Sequence, residues 1–244
     1  MGVALVFDIT GDMALFRKPY TTTSMVSYPF PPPTAVAGLI AAIIGINHGA
    51  DQNAKSARYW DAMSGVQVGI ALQNPLRWMN TAVNLMKLTK SLNEKMTEHI
   101  QVKHQLAKKP RYRIYVQGGD VYLRLKQRLE REEFIYTPCL GAAYALADIE
   151  YQGEYTSAAA EPEVGFDTIV PAYNGLELDI VRSGAVFSEQ VPMRMTSARR
   201  LSQTVQVYYA LPSKDGKPAV YVRNQGTLQS SMVNGEKVAW FHAW

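Results

Sequence analysis

A chain of 244 residues with 47% hydrophobic side chains is long enough for one large domain, or one domain with a small appendage, around a packed core. A single cysteine, Cys139, excludes a disulfide framework and points to a reducing compartment. The net charge of +4 is unevenly spread: from Leu76 to Gln117 nine Lys or Arg stand against only Glu94 and Glu98, a local +7, whereas Glu132 to Ile180 holds ten acids and no Lys or Arg. Trp78, Tyr112 and Tyr115 interleave the basic block, which points to a polyanion such as nucleic acid on one face and a separate acidic face. The opening MGVALVFDI has no basic leader, carries Asp8 and alternates like a strand, so it is not a signal peptide. The longest apolar run, Ala35 to Ile46, is too short to span a bilayer. A cytoplasmic protein with no membrane partner is expected.

In chain order, Val3 to Asp8 reads as a central strand. Thr34, following three prolines, is placed to cap a helix that runs to Ile46 and ends at Asn47-His48-Gly49. Lys55 to Met63 reads as a short helix and Val66 to Leu72 as a strand. Asn74 to Pro110 is too long and too polar for a turn and is expected to project. Arg111 to Val116 reads as a strand, Asp120 to Glu132 as an amphipathic helix with Val121, Leu125 and Leu129 on one face, and Ile135 to Ile149 as a strand-rich return. The order β-α-β-β-α-β is the ferredoxin-like arrangement. Beyond Tyr155, Ser157 to Pro162 reads as a linker. Thr168 to Val181, Val186 to Met195, Thr204 to Leu211, Ala219 to Val222 and Lys237 to Phe241 read as strands, with turns at Asp215-Gly216 and Asn234-Gly235. The expected division is an α+β domain over 1–155 and a small β-rich subdomain over 156–244.

The stretch from Ala14 to Gly45 joins a basic segment, Phe16-Arg17-Lys18-Pro19, to the rigid block Tyr28-Pro29-Phe30-Pro31-Pro32-Pro33 and to a helix carrying Gly38 and several alanines. A loop so specified is either a packing corner or a binding surface. Phe16, Arg17, Pro19, the Thr21–Ser24 run, Tyr28 to Pro33, Thr34, Gly38 and Leu39 resemble the N-terminal signature of the CRISPR-associated Cas five family, whose members cap the 5′ end of crRNA in type I Cascade complexes. The form most resembled is that of type I-B. The resemblance implies an RRM-like, RAMP-type fold in which the insertion at about 74–110 is a long β-hairpin thumb. It also implies docking to a Cas seven backbone subunit and a Cas eight large subunit, with target DNA reached through the complex.

Four histidines and one cysteine show no metal-ligand spacing, and no phosphate-binding glycine motif is present, so neither metal nor cofactor is expected. The expected RNA contacts are Arg17, Lys18, Arg77, Lys87, Lys90, Lys103, His104, Arg111 and Arg113, with Gly141 giving close backbone approach. Gly141 sits in Leu140-Gly141-Ala142-Ala143, which resembles the family's glycine loop, although Ala142 replaces its polar residue. The leading expectation is a non-catalytic subunit. The alternative is a metal-independent endoribonuclease, as in type I-C relatives, with His104 and Lys103 acting beside Tyr20 or Tyr28. Trp78, Trp240 and Trp244 read as core or interface anchors.

Overall fold

The N-terminal apolar run founds a sheet that is buried on both sides. The structure is a computed structural model, which describes residues 2–47, 57, 59–86, 99–213 and 219–244. Lys87, Lys90, His48, part of the Lys55–Met63 segment (Lys55, Ser56 and Arg58) and the Asp215-Gly216 turn therefore lie outside the described residues. Strand β1 (Gly2–Thr10) is followed by helices α1 (Pro33–Ile44) and α2 (Tyr59–Ala62), then strands β2 (Gln67–Leu72), β3 (Trp78–Met86), β4 (His99–Lys108) and β5 (Arg111–Gln117). Helix α3 (Tyr122–Arg131) leads to β6 (Asp148–Ala159), β7 (Phe187–Met195), β8 (Leu201–Tyr209), β9 (Ser230–Val233) and β10 (Glu236–Ala239). The main sheet runs β10-β9-β6-β1-β5-β2, antiparallel at every pairing.

Because strand side chains alternate, β1 sends Leu5, Phe7 and Ile9 to one face and Ala4, Val6 and Asp8 to the other. The first set joins Val36, Ile40, Leu125 and Leu129 of the two long helices in the principal core. Val191, Val205, Val207, Tyr209, Phe241 and Trp244 enter the same core, so the C-terminal part packs into it. The second set meets Ala71, Tyr115, Val233, Val238 and Trp240.

The proline block is a packing corner: every residue from Ser27 to Pro33 is buried. Phe16 pairs with Tyr28 across a short ladder, the Tyr112 hydroxyl donates to the Pro29 carbonyl at 3.0 Å, and Phe30 packs edge-on to Tyr209 with ring centres 5.1 Å apart. Thr34 does not cap α1. Pro33 occupies its first position, with φ already helical, and the Pro32 carbonyl accepts from Ala35 and Val36. The helix also ends earlier than expected, at Gly45, whose φ of 72° supplies the left-handed residue a helix end requires. The Asn234-Gly235 turn joins β9 to β10 with both residues at positive φ, as the dipeptide predicts. Three further readings need correction. Between Thr168 and Val181 only Val170–Pro171 and Glu177–Leu178 are strands, and a short helix, Ile180–Ser183, begins before the stretch ends. Residues 135–147 hold turns and one isolated bridge, Cys139 to Leu146, rather than a strand. Ser157 to Ala159 belong to β6 rather than to a linker: all three pair with β9, and Ser157 also pairs with Gly2 of β1.

Candidate nucleic-acid interface

The hairpin of β3 and β4 holds one register throughout, from Trp78 opposite Ala107 to Met86 opposite His99. Its root is tied to the body by two short pairings. Met13–Ala14 lies against Lys108 and Ala107, and Ser24–Met25 lies parallel to Lys103 and His104. The chain that carries Arg17 and Lys18 is thereby brought to the base of the hairpin. A cavity of about 510 Å³ forms there, lined by Ser24, Met25, Val26, Asn80, Lys103 and Gln105 among others.

Strand alternation divides the residues of this region. Trp78, Asn80, Ala82, Asn84 and Met86 are exposed, and Lys103, opposite Ala82, shares their face. His104 lies opposite Thr81 on the other face and is 2% exposed. Lys103 and His104, adjacent in sequence, therefore point to opposite sides. The His104 Nδ1 lies 3.0 Å from the Tyr144 hydroxyl, with the two rings nearly parallel at 13°, while its Nε2 is buried without a partner among the described residues. Burial, and then the nearby Arg17 cation, hold the His104 pKa below its ordinary value.

The cations fall into two groups. Arg17, Arg77, Lys103, Lys108 and Lys109 are exposed, and none pairs with a described carboxylate. Arg17 donates to the Thr21 carbonyl at 2.8 Å and lines a cavity of about 400 Å³ with Tyr28, Thr34, Gly141 and Ala142, beside the N-terminus of α1. Lys18 instead pairs with Glu189 and sits over the rings of Tyr28 and Tyr20, at 5.2 and 6.0 Å from their centres. Tyr28 is buried, which together with Tyr20 and Glu189 pushes its phenol to about 12, whereas Tyr20 is exposed.

Arg111 and Arg113 are also engaged. The register sets Asp8 opposite Arg113 and Thr10 opposite Arg111. The fully buried Asp8 carboxylate accepts from Arg113 at 2.7 and 3.1 Å and from Arg111 at 2.7 and 3.1 Å. Arg113 also reaches Glu236 at 3.1 Å, and Tyr115 donates its hydroxyl to the same carboxylate. Strand β5 is interior to the sheet rather than an edge, and Asp8 engages both guanidinia, leaving the Arg113 side chain 16% exposed and that of Arg111 45% exposed.

Gly141 sits at φ 89°, and a Cβ there would lie 2.1 Å from the Leu15 carbonyl oxygen. Its role in the structure is close approach to the chain's own backbone. Trp240 and Trp244 are buried and Trp78 is not. Sequence reasoning left out Tyr144, Glu189 and Asp8. Of these only Asp8 had a local signal, as an acid in an otherwise apolar central strand. Among the described residues no group of three or more His, Cys, Asp or Glu could hold a metal ion, and no helix is long and apolar enough to cross a membrane.

No curated protein matches this chain significantly. A CRISPR protein from Archaeoglobus fulgidus shares the fold with a TM-score of 0.60, covering 97% of this chain and 98% of that one at 14% identity. A chain from a CRISPR RNA-guided surveillance complex superposes with a TM-score of 0.53, covering 90% of this chain and 91% of its own, also at 14% identity. At such identity the likeness shows the fold alone. The family model described as CRISPR-associated protein (Cas_Cas5) matches residues 4–162, a span that contains the proline corner, the β3–β4 hairpin, strands β1, β2, β5 and β6 and helices α1, α2 and α3. The chain belongs to the CRISPR-associated Cas5 family.

Proposed function

We propose that this protein is a non-catalytic RNA-binding subunit of a type I CRISPR surveillance complex, most like the type I-B form, that caps the 5′ handle of crRNA. The observation that carries this reading is the family match over residues 4–162. The spatial order β6-β1-β5-β2, with α1 and α3 as the two crossing helices, supports a ferredoxin-like, RRM-like core. On it the β3–β4 hairpin acts as the thumb. The grip on RNA comes from the uncompensated cations Arg17, Arg77, Lys103, Lys108 and Lys109, which neutralise phosphates, and from exposed Trp78, which offers a ring to an unstacked base. Arg111 retains a half-exposed guanidinium edge for a secondary contact; Arg113, with a side chain 16% exposed, positions Asp8 and Glu236 instead. Lys18 acts through Glu189 and its two tyrosines, setting the corner beside Arg17. In the cytoplasm the subunit would dock a Cas seven backbone subunit and a Cas eight large subunit, and meet target DNA through the complex.

The nuclease alternative is disfavoured by the strand alternation. A base and a cation that serve one scissile phosphate must converge, and His104 and Lys103 diverge. The test is binding of 5′-handle RNA, with a scrambled control, at several salt concentrations in EDTA. Arg17→Ala, Lys103→Ala and Lys108→Ala should each weaken binding and reduce the log–log salt slope by about 0.7 per lost phosphate contact. Wild-type slopes in all three variants would refute the interface, and cleavage abolished by His104→Ala would establish the nuclease.

A further inference from the structure

The outer edge of the hairpin carries an unusual strand. Among the described residues, β3 pairs with β4 on one side and with nothing on the other, along all nine residues. An exposed edge of this length templates pairing with another chain, and proteins blunt such edges with lysine, proline, a bulge or a covering element. The sequence WMNTAVNLM has no charge and no proline, and its register against β4 is unbroken. Trp78 and Met86, at its two ends, are exposed.

The same nine residues are a palindrome of side-chain class about Ala82. In an antiparallel pairing with a two-fold axis at Ala82, Trp78 meets Met86 and Met79 meets Leu85. Asn80 then meets Asn84, Thr81 meets Val83, and Ala82 meets itself. Apolar faces apolar, amide faces amide and β-branched faces β-branched, which are the favourable cross-strand combinations. The match holds at one register only: sliding the pair by two residues, the next register that keeps each face, sets Trp78 against Asn84 and Asn80 against Ala82. All five exposed side chains would continue on one face, as alternation requires.

We propose that a second copy of this chain covers this edge, forming a two-fold dimer through β3–β3 pairing centred on Ala82. Isologous pairing closes on itself, so the edge is sealed in the free protein rather than left to template open-ended association. This inference stands on the edge and its pattern and is independent of the RNA-capping reading.

The test uses the full-length protein without RNA. Sedimentation velocity should show a reversible, concentration-dependent doubling of mass. Ala82→Lys places like charges at the axis and should restore the monomer; because Lys103 stands opposite Ala82 within the chain, a small fall in melting temperature is its only other expected effect. In a Cys139→Ser background, Ala82→Cys should form a disulfide-linked dimer on oxidation, because directly opposed residues lie within disulfide reach, whereas Asn80→Cys, off the axis, should not. A protein monomeric at all concentrations, a dimer untouched by Ala82→Lys, or equal cross-linking at both positions would each overturn the proposal. Handle-RNA binding by the Ala82→Lys monomer separates a failure here from a failure of the RNA reading.

Discussion

Removing the Asp8 carboxylate should cost more than any other single charge deletion on the sheet. Asp8 is fully buried and accepts four hydrogen bonds from two arginines, between 2.7 and 3.1 Å. Asp8→Ala would leave Arg113, whose side chain is 16% exposed, with Glu236 as its remaining carboxylate. Breaking a buried ion pair from one side costs about 3–5 kcal/mol, because the survivor stays desolvated without its countercharge. For a chain of this length that corresponds to a fall in Tm of about 6–20 °C. Arg111→Ala should cost only about 1 kcal/mol, since its guanidinium is half exposed and its other carboxylate, Glu150, is on the surface. Urea and thermal unfolding of both variants, with a double-mutant cycle for Asp8 and Arg113, would measure these terms. An Asp8→Ala protein within about 1 kcal/mol of wild type would refute the argument that this carboxylate anchors the two strands.

Gly141→Ala should destabilise the protein by more than about 1 kcal/mol. Its φ of 89° suits glycine, and the added methyl would meet the Leu15 carbonyl, a backbone atom that cannot swing aside. Differential scanning calorimetry checks this, and an unchanged Tm would disprove it. His104 predicts a pH dependence. Burial, then Arg17, lowers its folded pKa below the ordinary 6.5, so the unfolded chain binds the proton more readily. The stability it contributes is therefore present above pH 6.5 and is lost as pH falls from there through the lowered folded value. Urea midpoints at pH 7.5 and 5.5 should differ less in His104→Gln than in wild type; equal differences would show that His104 is not the group responsible.

The order of strands and helices in the core was legible because each segment carries its own period: apolar runs in β1 and β2, and Val121, Leu125 and Leu129 at helical spacing before and within α3. The hairpin was legible as an insertion too polar to be core. Its internal consequence was legible too, since alternation alone separates Lys103 from His104 once a strand is assigned there. What could not be read was partnership across the chain. Arg111 and Arg113 look like projecting cations until the register brings Asp8, about a hundred residues earlier, beneath them. Lys18 looks free until β7 presents Glu189. Tyr144 has no local sign of its role, because only the fold of the 140–147 turn sets it against His104. The cap on α1 was misplaced for a local reason, as Pro33 can itself begin the helix and leaves Thr34 one position too far in.

The acidic stretch from Glu132 to Ile180 gains an explanation from the same partnerships. Glu133 pairs with Arg128 at 3.1 Å, Glu154 with Lys126 at 2.7 Å, Glu150 with Arg111 at 3.5 Å and Glu163 with Arg182 at 3.2 Å. These are surface pairs, each worth little to stability, but together they offset Arg128, Lys126, Arg111 and Arg182. The exposed cations at the hairpin root have no such countercharge among the described residues. The acidic stretch is thus partly paired with cations of the body, while the hairpin root carries exposed cations that pair with no described carboxylate. A net charge of +4 placed that way concentrates positive potential where Arg17, Arg77, Lys103, Lys108 and Lys109 gather, the arrangement that steers a single-stranded polyanion to one place.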